Sequence, residues 1–280
     1  MQVSTELTPR ANWQREAIAI WGYVQRNYFL TKRYFMWEVV WLVYSVMNAL
    51  TIGFIGVGFS GTPEQVARNT TFLLIGTLIW SYLSMIFDLL SETVSWERWE
   101  GTIEYTFMSP ASRAAQLIGM GVYAVIYGIA RMIVMLGAIS LFFDMSLGNA
   151  NYLGALGLLA ICSVSLVGFG MVAAVMPLLS PEKGQQVTSI VTAVLLLVSG
   201  IYYSVEVLPG WLQPLSVVSP VTYALKGIRH MLLDGASFGS QWDNVWPLLI
   251  MGLIFPPLGL WLFHTGEMFA KRTGRLKRSG

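Results

Sequence analysis

The sequence predicts an all-α membrane protein: six transmembrane helices, an N-terminal amphipathic interfacial helix, and a re-entrant helical hairpin before the last span. Composition is the first reason: of 280 residues, 55% are hydrophobic and only 11% charged, against about 25% charge in soluble domains. Distribution is the second, because the apolar residues fall in blocks close to the ~20 residues that a helical bilayer crossing needs. The third is continuity. These runs do not alternate as barrel strands do, and a backbone in lipid must satisfy its amides within its own segment, so the runs are helices.

Taken in order, residues 1–36 form a cytoplasmic N-terminus, in which 12–33 read as an amphipathic helix. Trp13, Ala17, Ile20, Trp21, Val24 and Tyr28 share one face, while Gln14, Arg15, Gln25 and Arg26 lie largely off it. Such a helix lies at headgroup depth, either as a simple anchor or as an elbow that also touches a partner. Residues 37–264 hold the six spans, at 37–57, 72–90, 117–143, 152–179, 187–205 and 245–263. The outside loops 59–69 and 144–151 are short. The first contains Gly61, Pro63 and Glu64, and ends at an Asn69-Thr70-Thr71 sequon too close to the membrane to matter. The inner turn 180–184 reads as a plain connection or a second, smaller docking contact.

Segment 206–242 is long, yet too apolar for a solvated loop. Leu208-Pro209-Gly210-Trp211-Leu212-Gln213-Pro214 suggests one short broken helix. A second starts with Ser219 as N-cap and Pro220 at the first helical position, runs through Val221, Leu225, Ile228 and Leu232, and stops near Gly235. Neither is long enough to cross. Irregular backbone at membrane depth is tolerated only when buried in protein or lining a cavity, so the pair is expected to pack against the outer ends of spans five and six.

Orientation follows from the basic residues. With the N-terminus inside, all of the 17 lysines and arginines lie in inside segments except Arg68, Lys226 and Arg229 outside and Arg131 within the third span. Both termini are therefore expected in the cytoplasm. The tail 265–280, with Lys271, Arg272, Arg275, Lys277 and Arg278, meets anionic membrane lipids, and the net charge of +2 does not signal nucleic acid. The first apolar run begins near Trp37 and lacks a short apolar leader followed by a cleavage site. The single cysteine, Cys162, lies inside the fourth span and cannot form an internal disulfide.

The segment 91–113 is the most distinctive. Trp96, Trp99, Ile103 and Phe107 recur at helical spacing, and Glu97, Glu100 and Glu104 form an acidic stripe about 100° around the axis. A helix with one apolar and one acidic stripe, held by a membrane domain, suits docking of a soluble partner. Enzyme chemistry finds no constellation. There is no phosphate-binding GxxxxGK[ST] loop and no GxSxG elbow; the two histidines, His230 and His264, are far apart with no ligands at metal spacing. No metal site and no cofactor are expected on this chain.

Within the spans, Arg131 costs at least ~2.5–3.5 kcal/mol to insert. It either faces a polar cavity and meets an anionic substrate group, or pairs with a carboxylate or carbonyls on another helix. Asp88 and Glu38 lie near inner span ends and read as interfacial, and Glu206 as a partner for Arg229 or Lys226. With Arg131, the tyrosines Tyr127, Tyr202 and Tyr203 are candidates for a substrate path, although belt anchoring and helix packing explain Tyr44, Trp80, Tyr82, Tyr123 and these residues equally well.

Two stretches resemble ABC-2 type permeases, the membrane subunits of ATP-driven exporters. One is Trp99-Glu100-Gly101-Thr102-Ile103-Glu104 with Ser109-Pro110 and Arg113. The other is Ser199-Gly200-Ile201-Tyr202-Tyr203, then Glu206-Val207-Leu208-Pro209-Gly210-Trp211-Leu212-Gln213-Pro214, and then Ser219-Pro220-Val221-Thr222-Tyr223-Ala224 and Arg229. The resemblance implies a prokaryotic cytoplasmic (inner) membrane location and a permease dimer, homomeric or heteromeric, carried by two separate ATPase subunits that bind ATP and Mg. It also makes 91–113 the coupling segment. Glu97, Trp99, Glu100, Gly101 and Glu104 would face a groove in the ATPase, with Gly101 breaking or bending the helix, and substrate would move between the two permeases.

Lys32-Arg33-Tyr34-Phe35-Met36-Trp37-Glu38 does not match the stretch that enters span one in polysaccharide exporters, and the chain is more similar to the drug- and lipid-exporting, daunorubicin-resistance-like branch. The alternatives are a polysaccharide or glycolipid exporter permease of the same family, a self-contained secondary transporter or channel, and an integral membrane enzyme acting on lipids.

Overall fold

The computed structural model describes residues 9–144 and 148–273. Arg275, Lys277 and Arg278 of the expected basic tail, and part of the second outside loop, lie outside them. Eleven α-helices follow one another among the described residues: α1 (Pro9–Arg33), α2 (Phe35–Val57), α3 (Pro63–Trp99), α4 (Ile103–Met108), α5 (Arg113–Ser140), α6 (Tyr152–Ala173), α7 (Val175–Leu179), α8 (Pro181–Val198), α9 (Gln213–Val218), α10 (Pro220–Leu233) and α11 (Trp242–Arg272). No strand occurs among these residues.

Helix ends follow local chemistry. Thr62 and Gln65 close a capping box over α3, with Pro63 in its first turn, where a missing amide hydrogen costs nothing. Ser112 accepts from Ala115 N at 3.0 Å to start α5, and Asn151 accepts from Gly154 N at 2.9 Å to start α6. Ser219 precedes α10 as expected, but its hydroxyl does not cap the helix. It pairs instead with Ser199 Oγ at 2.7 Å. Gly235 stops that helix in a left-handed conformation, φ 66°, which glycine adopts without steric cost.

Five stretches are long and apolar enough to cross a membrane: Phe35–Val57, Pro63–Trp99, Arg113–Ser140, Tyr152–Leu179 and Phe238–Arg272. The expected fifth span, 187–205, is shorter than predicted. Its helix ends at Val198, and Gly200 at φ 70° turns the chain away. The first short helix of segment 206–242 also begins later than expected, at Gln213 rather than Leu208.

Hydropathy does not reveal which helices are central. The apolar windows of α2 and α3 share a hydropathy of 1.8, yet 22% of the first and 67% of the second is buried within the chain. The α3 helix runs through the middle, and its Ile75, Ile79, Tyr82, Leu83, Ile86 and Leu90 meet α5, α6, α10 and α11 in the main core. Since lipid is as apolar as a protein interior, helices here associate through small residues and interhelical hydrogen bonds. Tyr82 meets Ser163 at 2.6 Å, Ser91 meets Thr188 at 2.8 Å, and Ser165 donates to Leu248 O at 2.9 Å. At Gly168 a Cβ would stand 2.3 Å from Pro256 N, so α6 and α11 touch backbone to backbone.

One arginine closes the break after α8. Arg229 on α10 donates to Gly200 O at 2.8 Å, to Phe72 O at 3.2 Å and to Ile201 O, and its guanidinium lies 3.4 Å from the Phe72 ring centroid. The expected pairing with Glu206 is therefore not made; Glu206 accepts from Ser204 at 3.0 Å. The carbonyls freed where α8 ends are buried and need a donor, and a cation at a helix C-terminus suits the helix dipole.

Candidate docking site

The 37 residues of α3, at 1.5 Å per residue, reach about 55 Å, well past a hydrocarbon core of about 30 Å. Residues 91–99 are the end of that helix, so they inherit its phase. Leu90, Val94 and Glu97 fall on the inward face, all nearly inaccessible, whereas Trp96 and Trp99 point outward. The acidic stripe predicted from spacing is thus split. Glu97 is 2% exposed and belongs to the interior of the chain, not to its surface. Its carboxylate pairs with Arg26 Nη1 of α1 at 2.6 Å and accepts from Gln116 Nε2 of α5 at 3.4 Å.

Gly101 ends the helix with φ 72°. Its N–H bonds Arg98 O at 3.3 Å and the Thr102 N–H bonds Glu97 O at 2.9 Å, the paired pattern of a Schellman stop. The chain reverses into α4, whose Ile103 turns inward to Val94, Leu117, Met171 and Phe263. Ile103 and the two tryptophans, placed on one face by spacing, therefore part company. What is presented outward is a rim: Trp96, Trp99 (65% exposed), Glu100, Glu104, Tyr105 (77%) and Met108 (82%).

A second ion-pair group braces the far side of the rim. Arg113 of α5 meets Glu267 of α11 at 3.2 Å, and Lys271, one turn on, meets the same carboxylate at 2.6 Å. Arg113 also donates to Thr106 O of α4 at 2.8 Å and lies 4.4 Å over the Phe107 ring. At the near side, Ser112 donates to Glu16 of α1. Helices α1, α3, α4, α5 and α11 are consequently joined at one end of the bundle. The sequence reading missed Arg26, Gln116, Glu267 and Lys271. Glu267 carried a signal: it is an acid next to a basic tail, four residues before a lysine.

The Arg26–Glu97 pair lends itself to a double-mutant cycle. Glu97 is buried but the Arg26 side chain is 36% exposed, so solvent screens part of the attraction. A coupling of about 1–2 kcal/mol is expected from thermal unfolding of Arg26→Gln, Glu97→Gln and the double variant. Coupling below about 0.3 kcal/mol would show that the pair contributes nothing to holding α1 on α3.

The proposed substrate-path residues fall into two separate groups. Arg131 donates to Trp41 O at 2.9 Å and to Ser45 Oγ at 2.7 Å on α2, and Tyr127 donates to Glu38 at 2.6 Å on the same helix. Arg131 thus has the pairing with another helix's carbonyl that was one of its two readings, and Glu38 is a partner of Tyr127. Tyr202 packs on the main core, and Tyr203 donates to Leu197 O, both beside the end of α8. Two charge-assisted hydrogen bonds at ~1.5–3 kcal/mol each oppose an insertion cost of ~2.5–3.5 kcal/mol. Arg131→Met is therefore expected to lose at most ~3.5 kcal/mol, read as a lower melting temperature and yield with activity per folded molecule unchanged.

The family model for ABC-2 type transporters matches residues 15–233. The chain belongs to the ABC-2 type transporter family. The match takes in α1, the segment 91–113 and α10, and it stops before α11, so Glu267 and Lys271 of the second brace lie beyond it. This ABC-2 protein is also 29% identical over 194 residues to "Probable multidrug ABC transporter permease YbhR" of Escherichia coli (strain K12), an alignment covering 68% of this chain and 48% of that one. The same figures hold for the protein of that name in Escherichia coli O157:H7. The chain spans about half the length of the curated relatives it matches. Its apolar helices and family together make it an integral membrane protein.

Proposed function

We propose that the chain is the transmembrane permease subunit of an ABC exporter in a prokaryotic cytoplasmic membrane, with both termini inside. It forms the translocation path with a second permease copy and docks two separate ATPase subunits, which bind ATP and Mg, through the 91–113 segment. The docking surface is Trp99, Glu100, Gly101 and Glu104, extended by Trp96, Tyr105 and Met108. Glu97 transmits rather than touches: it ties the segment to α1, as Glu267 ties it to α11. Nucleotide-driven closure of the ATPases would then move a braced unit rather than a loose loop, a rigid-body switch between two helix packings.

The observation that carries the reading is the exposed aromatic and acidic rim, held by two ion-pair groups in a chain of this family. Six crossings fit the same geometry. The α8 helix is joined to the inner third of α3 by Ser91 and Thr188, and just past its far end Gly200 O and Ile201 O accept from Arg229. Its 18 residues reach about 27 Å, close to a hydrocarbon thickness once the irregular stretch to Val205 is added. Arg68 at the start of α3 pairs with Asp234 after α10 at 2.9 Å, which favours α9 and α10 as a re-entrant hairpin at the outer end.

Tyr202 and Tyr203 are retained as path candidates there. The relatives' multidrug name favours an amphipathic, drug-like or lipid substrate. The test is affinity purification of the tagged chain from its native membranes in mild detergent. A stoichiometric ATPase bearing a phosphate-binding loop is the expected companion. A folded chain that purifies alone from freshly solubilised membranes would overturn the exporter reading in favour of a self-contained transporter.

A further inference from the structure

Asp88, read as interfacial near the inner end of its span, opens into a cavity of about 310 Å³ on the α3–α8 side of the bundle, lined by Trp80, Asp88, Ser189, Thr192, Ala193 and Leu196. It is an open groove, and its volume reaches the lower end of the range of small-molecule sites. Its chemistry is uneven. At one end is a carboxylate that has no hydrogen-bond donor and no cation paired with it among the described residues. About 12 Å along the same helix, from its rise per residue, stands the indole of Trp80, with Ala193 and Leu196 supplying apolar wall.

Glu92 follows Asp88 by one helical turn on α3. Like charges at this spacing destabilise a helix, and an unpaired acid in a span is costly unless it faces a cavity or a partner. Arg131 of α5 reaches Met85 Sδ of α3 at 3.6 Å, but its hydrogen bonds to oxygen go to Trp41 and Ser45 of α2. The Asp88 carboxylate is therefore relieved by an external positive charge entering the cavity, while an anion meets repulsion there. The Trp80 ring adds the negative π-face that draws organic cations.

We propose that this cavity binds an amphipathic organic cation, with Asp88 as its counter-ion and Trp80 as the wall for its apolar body. The inference rests on the exporter reading for its meaning as a substrate site and names the substrate class. The binding itself needs no ATPase. Thr192, which also lines the cavity, donates its hydroxyl to Thr188 O at 3.0 Å, so its oxygen can only accept from a ligand, which again suits a cation.

The experiment is equilibrium binding of radiolabelled tetraphenylphosphonium to the purified full chain in a neutral maltoside detergent. Saturable binding is expected, weakened at least tenfold by Asp88→Asn, kept within threefold by Asp88→Glu, and abolished by Ala193→Phe, which fills the space. Each variant is checked for a single size-exclusion peak, and Asp88→Glu shows that the charge rather than the fold is being read. Competition by phosphatidylcholine but not phosphatidylglycerol would support the site and assign its cation to a lipid headgroup; absence of such competition supports a free organic cation.

Equal affinity of Asp88→Asn and the original chain overturns the proposal. So does a monodisperse chain with no saturable binding. The two readings fail separately. ATPase co-purification without cation binding removes only this site, and cation binding without a co-purifying ATPase removes only the exporter.

Discussion

Reversing the charge at Glu100 and Glu104 together is expected to cut co-purification of the ATPase at least tenfold and to abolish ATP-dependent transport. The Glu100→Lys/Glu104→Lys variant should keep the melting temperature of the original chain, because both carboxylates are exposed and neither is in an ion pair among the described residues. A tenfold loss corresponds to about 1.4 kcal/mol. One exposed ion pair contributes only about 0.2–1 kcal/mol, so removing a single charge tests the idea weakly. Two reversals turn attraction into repulsion at both positions, and charge pairs desolvated on docking are worth more.

The effect should shrink as salt rises, since the Debye length falls from about 10 Å at 0.1 M to 3 Å at 1 M. Glu104→Lys alone is expected to abolish coupling only if Glu104 lies at the centre of the contact. Co-purification and transport unchanged in the double variant would remove the rim from the docking surface. The same change at Glu97 would read differently, because a lysine there meets Arg26 in a buried site and destabilises the chain itself.

The second large effect belongs to Gly76. A Cβ on this residue would stand 2.2 Å from Ile201 O and 2.6 Å from Arg229 Nη2. Neither atom is free to yield: the carbonyl accepts from Arg229, and Arg229 also holds Gly200 O and Phe72 O. Even Gly76→Ala must separate α3 from the break after α8. Overpacking costs about 1–3 kcal/mol, and each charge-assisted hydrogen bond lost adds ~1.5–3 kcal/mol.

The sum, roughly 3–6 kcal/mol, is a large part of a typical stability of 5–15 kcal/mol. The expected result is a chain that inserts but is degraded or aggregates, seen as lost monodisperse material. Gly137→Ala is the control. That glycine lies in α5 with nothing within 4 Å of a Cβ, so the substitution should be neutral or stabilise the helix by up to about 1 kcal/mol. If Gly76→Ala melts with Gly137→Ala, the contact at Ile201 is not as close as described.

Much of the fold was legible because membrane helices announce themselves one at a time. Four of the spans appear where apolar runs of sufficient length stand in the sequence, and the last helix extends the predicted run at both ends. Turn chemistry was equally readable at Gly101 and Gly235, each acting through its own backbone. The end of α8 was not. Ser199 and Gly200 sit in a run whose hydropathy continues to Val205, and the break is sustained by Arg229, a residue of another helix. The exposed rim falls in the stretch that spacing set apart, but the reading around the helix axis was wrong. Spacing gave Glu97, Glu100 and Glu104 one stripe because it assumed one helix. The Gly101 stop ends that helix between the first and the last of them.

The sequence by itself determined that the chain is helical and membrane-embedded, the approximate extent of most spans, the family, and the stretch that interrupts the apolar runs at 91–113. These follow from length, local backbone preference and solvent transfer, which act within a segment. Only the tertiary structure decided that Glu97 faces inward to Arg26, that α3 is central while the equally apolar α2 is peripheral, that Arg131 is engaged on α2, and that Asp88 opens into a cavity. The physical reason is that lipid and protein interior are alike to an apolar side chain. Hydropathy places a helix in the membrane but is silent on which face meets a neighbour. That choice rests on small residues, ion pairs and hydrogen bonds between segments distant in the chain.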